Sequence, residues 1–262
     1  MIRDFKMRVI QDDLEVMVMY CGEPTIDCCI ESIDRQTLQP SRITVIEDVS
    51  PISKAINTRH ENMQKPFSIK VDADCILYKD CFKVLYHKMI EKGDYYYATS
   101  VMTIDPFVGI EGGIQLERSS CLKNLVVPDI IGVDRFIRNE MESKGYKFYE
   151  INKPFAEHWS DWSWEQVFKK SMRIGQKHLY YKAKRHNWVR RFAKKWLGDK
   201  NGTAFLAILG YCYGLLTLDD KEKGIDFASE EIEIVKGLLK NGIIPEPDEL
   251  LTLKKEGAWR KR

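Results

Sequence analysis

Two aspartates separated by one residue, Asp72 and Asp74, directly follow the predicted strand Phe67–Val71. Hard cations such as Mg²⁺ and Mn²⁺ prefer oxygen ligands and commonly bridge to substrate phosphates. At the end of a strand, one carboxylate can therefore hold a metal ion while the other bonds a ribose hydroxyl. The alternative is an aspartate-rich turn that caps the next helix, and the pattern by itself is common in both settings.

The elements around these aspartates alternate between strand patterns and helix patterns. A short apolar run predicts a strand at Leu14–Tyr20, and strand patterns follow at Arg42–Ile46, Phe67–Val71 and the β-rich segment Tyr95–Met102. Between them lie two segments with apolar residues at helical spacing and one typical of a polar helix or loop: Thr25–Gln36, Lys79–Lys92 and Pro51–Met63. This alternation predicts an α/β domain with a mainly parallel sheet covered by helices.

Acidic residues follow two of the predicted strands, and this topology gives them a common location. Glu47 and Asp48 follow the second strand, and Asp72 and Asp74 follow the third. Open parallel sheets bind ligands beyond the carboxyl ends of their strands, so we expect both acidic pairs at one edge of the sheet. The sequence contains no GxGxxG motif and no P-loop, which argues against dinucleotide-binding and P-loop folds.

Three segments, in this order, resemble the family-two glycosyltransferases, which have the GT-A fold. The segments are VMVMYCGEP at the first strand, ITVIEDVS at the second and PFSIKVDADCIL at the third. The resemblance extends from about Leu14 to His158. It implies a GT-A Rossmann-like mixed, mainly parallel sheet flanked by helices, in an enzyme that transfers a sugar from a nucleotide-sugar donor.

The resemblance also implies which residues bind the donor and its metal ion. Asp72 matches the position that contacts the nucleotide, Asp74 the position that binds a divalent cation, Mn²⁺ or Mg²⁺, and Asp48 the position that contacts the nucleobase. The implied nucleotide-sugar contacts are Tyr20, Glu23, Asp48, Asn57, Lys70, Asp72, Ala73 and Asp74. The chain lacks the family's usual Ala-Arg-Asn run, and Ala55-Ile56-Asn57 is the nearest equivalent.

Asp134 is the candidate catalytic base. Its segment, IIGVDRFIRNEMESKGYKFYEI, resembles the family's Glu-Asp motif followed by a helix, a glycine and a strand, with Val133 in place of the glutamate. One carboxylate suffices to take the proton of an acceptor hydroxyl as its oxygen attacks the anomeric carbon. Asp134 also suits the start of the predicted helix Arg135–Lys144, and the two roles are compatible.

The resemblance continues to the acceptor side and to a further metal ligand. Gly112 and Gly113 match glycines that precede the acceptor-side helix, and with Glu111 they form the implied acceptor-binding group. His158, in PFAEHWSDW, stands where some members of the family place an additional metal ligand. A histidine packed between tryptophans is the alternative for His158.

The C-terminal part of the chain differs from the rest. From Trp164 onward the pattern is mostly helical, and we place a boundary between a GT-A nucleotide-sugar and acceptor domain, residues 1–160, and a helical extension, residues 161–262. Basic and aromatic side chains interleave through residues 165–196, which favours peripheral contact with an anionic membrane surface. A solvated helix face is the alternative, and nucleic acid is a rival electrostatic partner that we do not expect.

Composition indicates a reduced, cytoplasmic protein, peripheral at most to the inner face of the membrane. The chain has 262 residues, 44% of them hydrophobic, and a net charge of +2, so global charge says little about partners. Its seven cysteines include no CxxC pair, which argues against a zinc site and a disulfide framework. No signal-peptide pattern is present, and the charge-free stretch Gly202–Leu218 carries three glycines, so we expect no membrane span.

Together these features predict an inverting glycosyltransferase. It would move a sugar from a UDP- or GDP-linked donor to a hydroxyl of a saccharide, lipid-linked or protein acceptor, a chemistry typical of polysaccharide biosynthesis. A sugar nucleotidyltransferase would share the acidic metal site, but it normally opens with a glycine-rich basic loop that Tyr20–Pro24 lacks. A nucleotide-sugar-binding protein without transferase activity is the other alternative, because the glutamate of the Glu-Asp motif is missing.

Overall fold

The structure is a computed structural model, and it describes residues 9–105, 109–130, 132–159, 164–181, 193–194, 202–216, 236–237 and 240–241. The chain divides into two compact units. One consists of Met1–Asp129 and Val133–Ser160, and the other of Ile130–Gly132 and Asp161–Arg262. All of the predicted site residues belong to the first unit.

The first unit is built on one sheet of seven strands. The strands are β1 (Val9–Tyr20), β2 (Leu38–Glu47), β3 (Phe67–Asp72), β4 (Cys75–Leu77), β5 (Tyr96–Asp105), β6 (Gly109–Arg118) and β7 (Lys147–His158). The helices are α1 (Ile26–Asp34), α2 (Ile52–Glu61), α3 (Cys81–Lys92), the short α4 (Ser119–Leu122) and α5 (Val133–Ser143).

Most strands of this sheet run in the same direction. Their order is β2-β1-β3-β6-β5-β7-β4. β1 is parallel to β2 and β3, and β5 is parallel to β7, whereas β6 is antiparallel to both β3 and β5, and β4 is antiparallel to β7. Five strands therefore run one way and two run the other, which confirms the predicted mixed, mainly parallel sheet.

Helices cover both faces of the sheet, and each face has its own hydrophobic core. Val16 and Val18 of β1 pack in the core that contains α1 and α3 residues such as Ile33 and Leu85. Met17, between the two valines, packs in the second core with residues of α2 and α5. A strand buried on both sides needs apolar residues at successive positions, which explains the unbroken apolar run in β1.

The strand β1 is longer than the apolar run predicted. It begins at Val9 rather than at Leu14, and its pairing with β2 is irregular between Gln11 and Glu15. The buried carboxylate of Glu15 accepts hydrogen bonds from the backbone N–H groups of Gln64 and Lys65, at 2.8 and 3.1 Å. These bonds provide the partners that a buried carboxylate requires.

Two strands were not predicted from the sequence. β4 has only three residues, too few for a recognisable pattern. β6 carries Gly109, Gly112 and Gly113, and the sequence there is typical of turns. In the structure, a Cβ atom at Gly113 would overlap the side chain of Thr103 on β5, whereas a Cβ at Gly112 would meet open space. The glycine at position 113 thus allows β5 and β6 to pack.

A buried ion pair joins Arg59 of α2 and Glu117 of β6. The neighbouring His60 also contacts the guanidinium group of Arg59. Arginine can only donate, so the 3.2 Å contact between Arg59 Nη2 and His60 Nε2 makes Nε2 the acceptor. The Nδ1–H of His60 then donates to the carbonyl oxygen of Leu125, at 3.0 Å. Burial and the adjacent guanidinium of Arg59 lower the pKa of His60, so this histidine is neutral near pH 7.

The second unit contains the long helices α6 (Trp164–Tyr181) and α7 (Gly202–Leu216). A Cβ atom at Gly210 or Gly214 of α7 would overlap the carbonyl oxygen of Phe168 or Met172 on α6. The backbones of these helices are therefore in direct contact. Among the described helices, none combines the length and apolarity that crossing a bilayer requires. The basic segment 165–196 lies partly outside the described residues, and its membrane contact stays a prediction.

The contact at Gly113 predicts a difference between two neighbouring substitutions. We expect Gly113→Ala to lower the free energy of unfolding by about 1–3 kcal/mol, because the added methyl group must displace Thr103. Gly112→Ala is the matched control, expected to be neutral or mildly stabilising. Urea unfolding followed by circular dichroism measures both, and equal effects of the two substitutions would contradict this packing.

The neutral state of His60 predicts a pH-dependent contribution to stability. Its pKa is lower in the folded than in the unfolded protein, where it is about 6.5, so the unfolded state binds more protons below that pH. The contribution is complete above about pH 6.5 and is lost as the pH falls towards the folded pKa. Relative to His60→Gln, we expect wild-type stability to fall more steeply between pH 7.5 and pH 5, by at most about 1.4 kcal/mol per pH unit. Parallel urea-unfolding curves would argue against it.

Candidate active site

The strands that run in the common direction all end at one edge of the sheet, and most of the candidate residues lie there. These strands end at Glu47, Tyr20, Asp72, Asp105 and His158. Side chains from distant parts of the sequence thereby meet at the carboxyl edge, where sheets of this kind bind ligands. The structure thus places the acidic residues that follow β2 and β3 at the same edge of the sheet, as the sequence predicted.

The triplet Asp72-Ala73-Asp74 is held by its backbone. The N–H of Ala73 donates to the carbonyl of Met19 on β1, at 2.9 Å, and the hydroxyl of Thr25 donates to the carbonyl of Ala73, at 3.1 Å. The carbonyl of Asp74 accepts from the N–H of Trp159, at 2.6 Å. The triplet leads into the short strand β4 rather than into a helix, so its side chains do not act as helix caps.

His158 lies beside Asp74 because β4 pairs with the end of β7. In that antiparallel pair Cys75 is opposite His158, which brings the preceding residue, Asp74, to the imidazole. The Nε2 atom of His158 is 3.1 Å from Oδ2 of Asp74. Its Nδ1 atom is 2.7 Å from Oε1 of Glu111 and 3.4 Å from Oδ2 of Asp105. A histidine and three carboxylates thus form one cluster, hereafter the His158 cluster.

The His158 cluster stabilises positive charge. Burial acts to lower the pKa of His158, but hydrogen bonds with Asp105, Asp74 and Glu111 outweigh it and raise the pKa to about 12. The oxygen and nitrogen atoms of Asp74 and His158, and of His158, Asp105 and Glu111, are close enough to share a cation. Such donors suit Mg²⁺ and Mn²⁺. The nearby thiol of Cys75 is a poor ligand, because burial keeps its pKa well above the ordinary value.

Asp105 is the member of the cluster that sequence reasoning missed. The predicted strand ended at Met102, whereas β5 continues to Asp105, whose side chain is fully buried. The signal was available, because Asp105 is an acidic residue at the end of a strand, as Asp48 and Asp72 are. Glu111, predicted on the acceptor side with Gly112 and Gly113, lies against His158 instead of standing apart from the metal-binding residues.

The loops that follow β1 and β2 bring Tyr20, Glu23 and Asp48 to the same edge. The N–H of Asp48 donates to the carbonyl of Tyr20, at 3.0 Å, and Asp48 has a φ of 50°, a conformation that aspartate tolerates better than most residues. A carboxylate oxygen of Glu23 accepts from the N–H of Cys21, at 2.6 Å. Burial and the charges of Glu23, Asp48 and Asp72 raise the pKa of Cys21, so this corner of the edge is electronegative.

Asn57 has a different environment from the other predicted nucleotide contacts. Its side-chain amide donates to the carbonyl of Val127, at 2.9 Å, and its oxygen accepts from the N–H of Val127, at 2.7 Å. Both polar groups of the side chain are thereby engaged with the backbone after α4. The geometry gives Asn57 a structural role, and its contact with a nucleotide stays a prediction.

Lys70 and Asp134 lie together in the wall of an open cleft. Their Nζ and Oδ1 atoms are 3.6 Å apart, and the side chain of Asp134 is 61% exposed in the first turn of α5. The charges of Asp72 and Asp134 raise the pKa of Lys70 in spite of its burial, so the lysine is cationic. Lys70 therefore links the candidate base to the strand that carries Asp72.

The structure gives a physical reason for the departure at Val133. Its side chain is buried in the second core with Ile137 and Met141 of α5. A glutamate at this position would place an unpaired carboxylate among apolar side chains, which is costly. This packing therefore favours an apolar residue at position 133 and leaves Asp134 as the one carboxylate of the motif.

Comparison with solved structures identifies the fold. A mannosyltransferase from Pyrobaculum calidifontis in complex with GDP-Man and Mn²⁺ is similar at a TM-score of 0.50 and 12% identity, over 88% of this chain and 80% of that one. TarS 1–349 from S. aureus is similar at a TM-score of 0.46 and 11% identity, over 88% and 92% of the two chains. Glucosyl-3-phosphoglycerate synthase from Mycobacterium tuberculosis is similar at 0.47 and 12%, over 66% and 79%.

No protein-family model and no curated protein matches the sequence. At 12% identity, the similarity to the mannosyltransferase shows the fold alone. The seven-stranded mixed sheet with helices on both faces is accordingly the GT-A glycosyltransferase fold, which confirms the fold that the sequence resemblance implied.

Proposed function

We propose that this protein is a metal-dependent, inverting glycosyltransferase that moves a sugar from a nucleoside-diphosphate donor to an acceptor hydroxyl. The observation that carries the proposal is the meeting of Asp74 and His158 at the carboxyl edge of a GT-A sheet, with Asp72 beside them. This edge is where a sheet of this kind binds its ligands.

The donor nucleotide would lie along the ends of β1, β2 and β3. Tyr20, Glu23 and Asp48 would surround the nucleobase and Asp72 would bond the ribose, with Lys70, Ala73 and Asp74 completing the contacts. The mannosyltransferase of the same fold was solved with GDP-Man and Mn²⁺, which supports a nucleotide-sugar donor of the GDP or UDP type.

Asp74 and His158 would hold the divalent cation. Bound there, Mn²⁺ or Mg²⁺ supplies Lewis-acid stabilisation of the diphosphate leaving group. The cluster's preference for positive charge supports this role, because the same carboxylates that raise the pKa of His158 attract a cation. Their negative charge would otherwise repel the phosphates of the donor.

Asp134 would be the catalytic base. Its exposed carboxylate can approach an acceptor, and the ammonium group of Lys70 lies 3.6 Å away. The acceptor oxygen would attack the anomeric carbon as its proton passes to Asp134 and the diphosphate departs. One displacement with one base inverts the anomeric configuration. The alternative, a binding protein without transfer, predicts donor binding with no turnover.

The proposed metal site predicts donor hydrolysis that depends on Mn²⁺ and on Asp74. With UDP-glucose and GDP-mannose as probes, we expect the wild-type protein to release UDP or GDP with Mn²⁺ and to stop on addition of EDTA. Asp74→Ala should reduce the rate at least about a hundredfold, because several kcal/mol of charge stabilisation is lost. Asp34→Ala, the same change at an exposed helix end, is the control. Full activity of Asp74→Ala would remove the basis of the proposal.

The role of Asp134 predicts a separation of donor binding from catalysis. Asp134→Asn should lower turnover by about 10²–10⁴-fold, the usual contribution of a general base, while leaving the affinity for UDP with Mn²⁺ unchanged. Turnover and calorimetric titration measure the two quantities. Unchanged turnover would exclude Asp134 as the base, and nucleotide binding by a wild-type protein that never turns over would favour the binding-protein alternative.

A further inference from the structure

His158 presents its two ring nitrogens to different carboxylates. Nε2 lies 3.1 Å from Oδ2 of Asp74, and Nδ1 lies 2.7 Å from Oε1 of Glu111. A histidine that ligates a metal ion through one nitrogen commonly donates the other N–H to a carboxylate, which fixes its tautomer and orientation. The cluster therefore contains two carboxylates, Glu111 and Asp105, both at Nδ1, that the proposed metal site does not use.

The Nε2 side is better suited to a cation that binds a donor phosphate. Two neighbouring ligands on one Mg²⁺ ion, each at about 2.1 Å, lie roughly 3 Å apart, close to the separation of Nε2 and Asp74 Oδ2. Asp74 also adjoins the exposed Asp72 at the strand end. On the Nδ1 side, the side chain of Asp105 is fully buried, so a cation there would be shielded from the donor.

Glu111 is better placed than Asp105 to accept the Nδ1–H hydrogen bond. The 2.7 Å contact with Glu111 falls in the range of charge-assisted hydrogen bonds, whereas the contact with Asp105 is 3.4 Å. Glu111 lies opposite Thr103 in the β5–β6 ladder, so the sheet fixes where its side chain begins.

We infer that Glu111 is a positioning residue for the metal site. By accepting the Nδ1–H of His158, its carboxylate fixes the tautomer whose unprotonated Nε2 faces Asp74 and the cation. This inference rests on the proposed function, since it assigns a role within the proposed metal site. It gives Glu111 a task different from the acceptor contact that the sequence resemblance implied.

Mn²⁺ affinity of three variants tests the inference without any sugar substrate. The full-length protein is titrated with MnCl₂, and free Mn²⁺ is measured by electron paramagnetic resonance. We expect Glu111→Ala to weaken Mn²⁺ binding by about 10–100-fold, the usual effect of removing such a partner. Glu111→Gln, whose amide oxygen can still accept the Nδ1–H, should recover most of the affinity. Glu150→Ala, on the exposed part of the same strand as His158, should have no effect.

The tautomer of His158 gives a second readout. In ¹⁵N-labelled protein with Mg²⁺, long-range ¹H–¹⁵N correlation should show the Nδ1–H tautomer in the wild type and in Glu111→Gln, and a mixture in Glu111→Ala. Equal loss of Mn²⁺ affinity in the Ala and Gln variants would overturn the inference, because it would make Glu111 a direct ligand, as would unchanged affinity in Glu111→Ala. If Asp74→Ala abolishes Mn²⁺ binding while Glu111→Ala leaves it unchanged, this inference fails and the proposed metal site stands. If the wild type binds no Mn²⁺, both fail.

Discussion

Burial of both faces of the central sheet is the constraint on which the rest of the structure depends. β1 places Val16 and Val18 in one core and Met17 in the other, so the middle of this strand offers no room for a polar ligand on either side. Apart from the cleft of Lys70 and Asp134, most candidate polar residues lie at the edge where the strands end and the backbone turns. That edge collects the ends of β1, β2, β3, β5 and β7, which are distant from one another in the sequence.

The carboxyl edge is a region of concentrated negative charge that the fold must stabilise. Backbone hydrogen bonds hold the triplet, so Asp72 and Asp74 stay close without relying on their own side chains. Two positive charges balance part of the negative charge. One is the ammonium group of Lys70 beside Asp134, and the other is either a proton on His158 or a metal ion bound in its place. Since like charges in a partly buried setting repel strongly, the arrangement is most stable when a cation is present. The repulsion between the carboxylates thus explains why this edge would prefer to bind a cation.

The sequence predicted those parts of the fold that are encoded locally. Strand patterns located β1, β2 and β3, and the spacing of apolar residues located α1 and α3. Parts that depend on pairing between distant strands were missed. β4 exists because three residues pair with β7, and β6 because Gly113 can pack against Thr103. The neighbours of His158 likewise follow from the pairing of β4, β5 and β7, which no local pattern reveals, so Asp105 was overlooked and the contact between Glu111 and His158 was not predicted.

The contact between α6 and α7 has a consequence for how the apolar stretch of α7 is interpreted. Where two backbones touch, no side chain larger than hydrogen fits without separating the helices, so Gly175, Gly210 and Gly214 are positions at which the choice of residue is dictated by geometry. Two of the glycines that argued against a membrane span in the sequence, Gly210 and Gly214, thus have a positive role, because they set how closely the two helices approach each other.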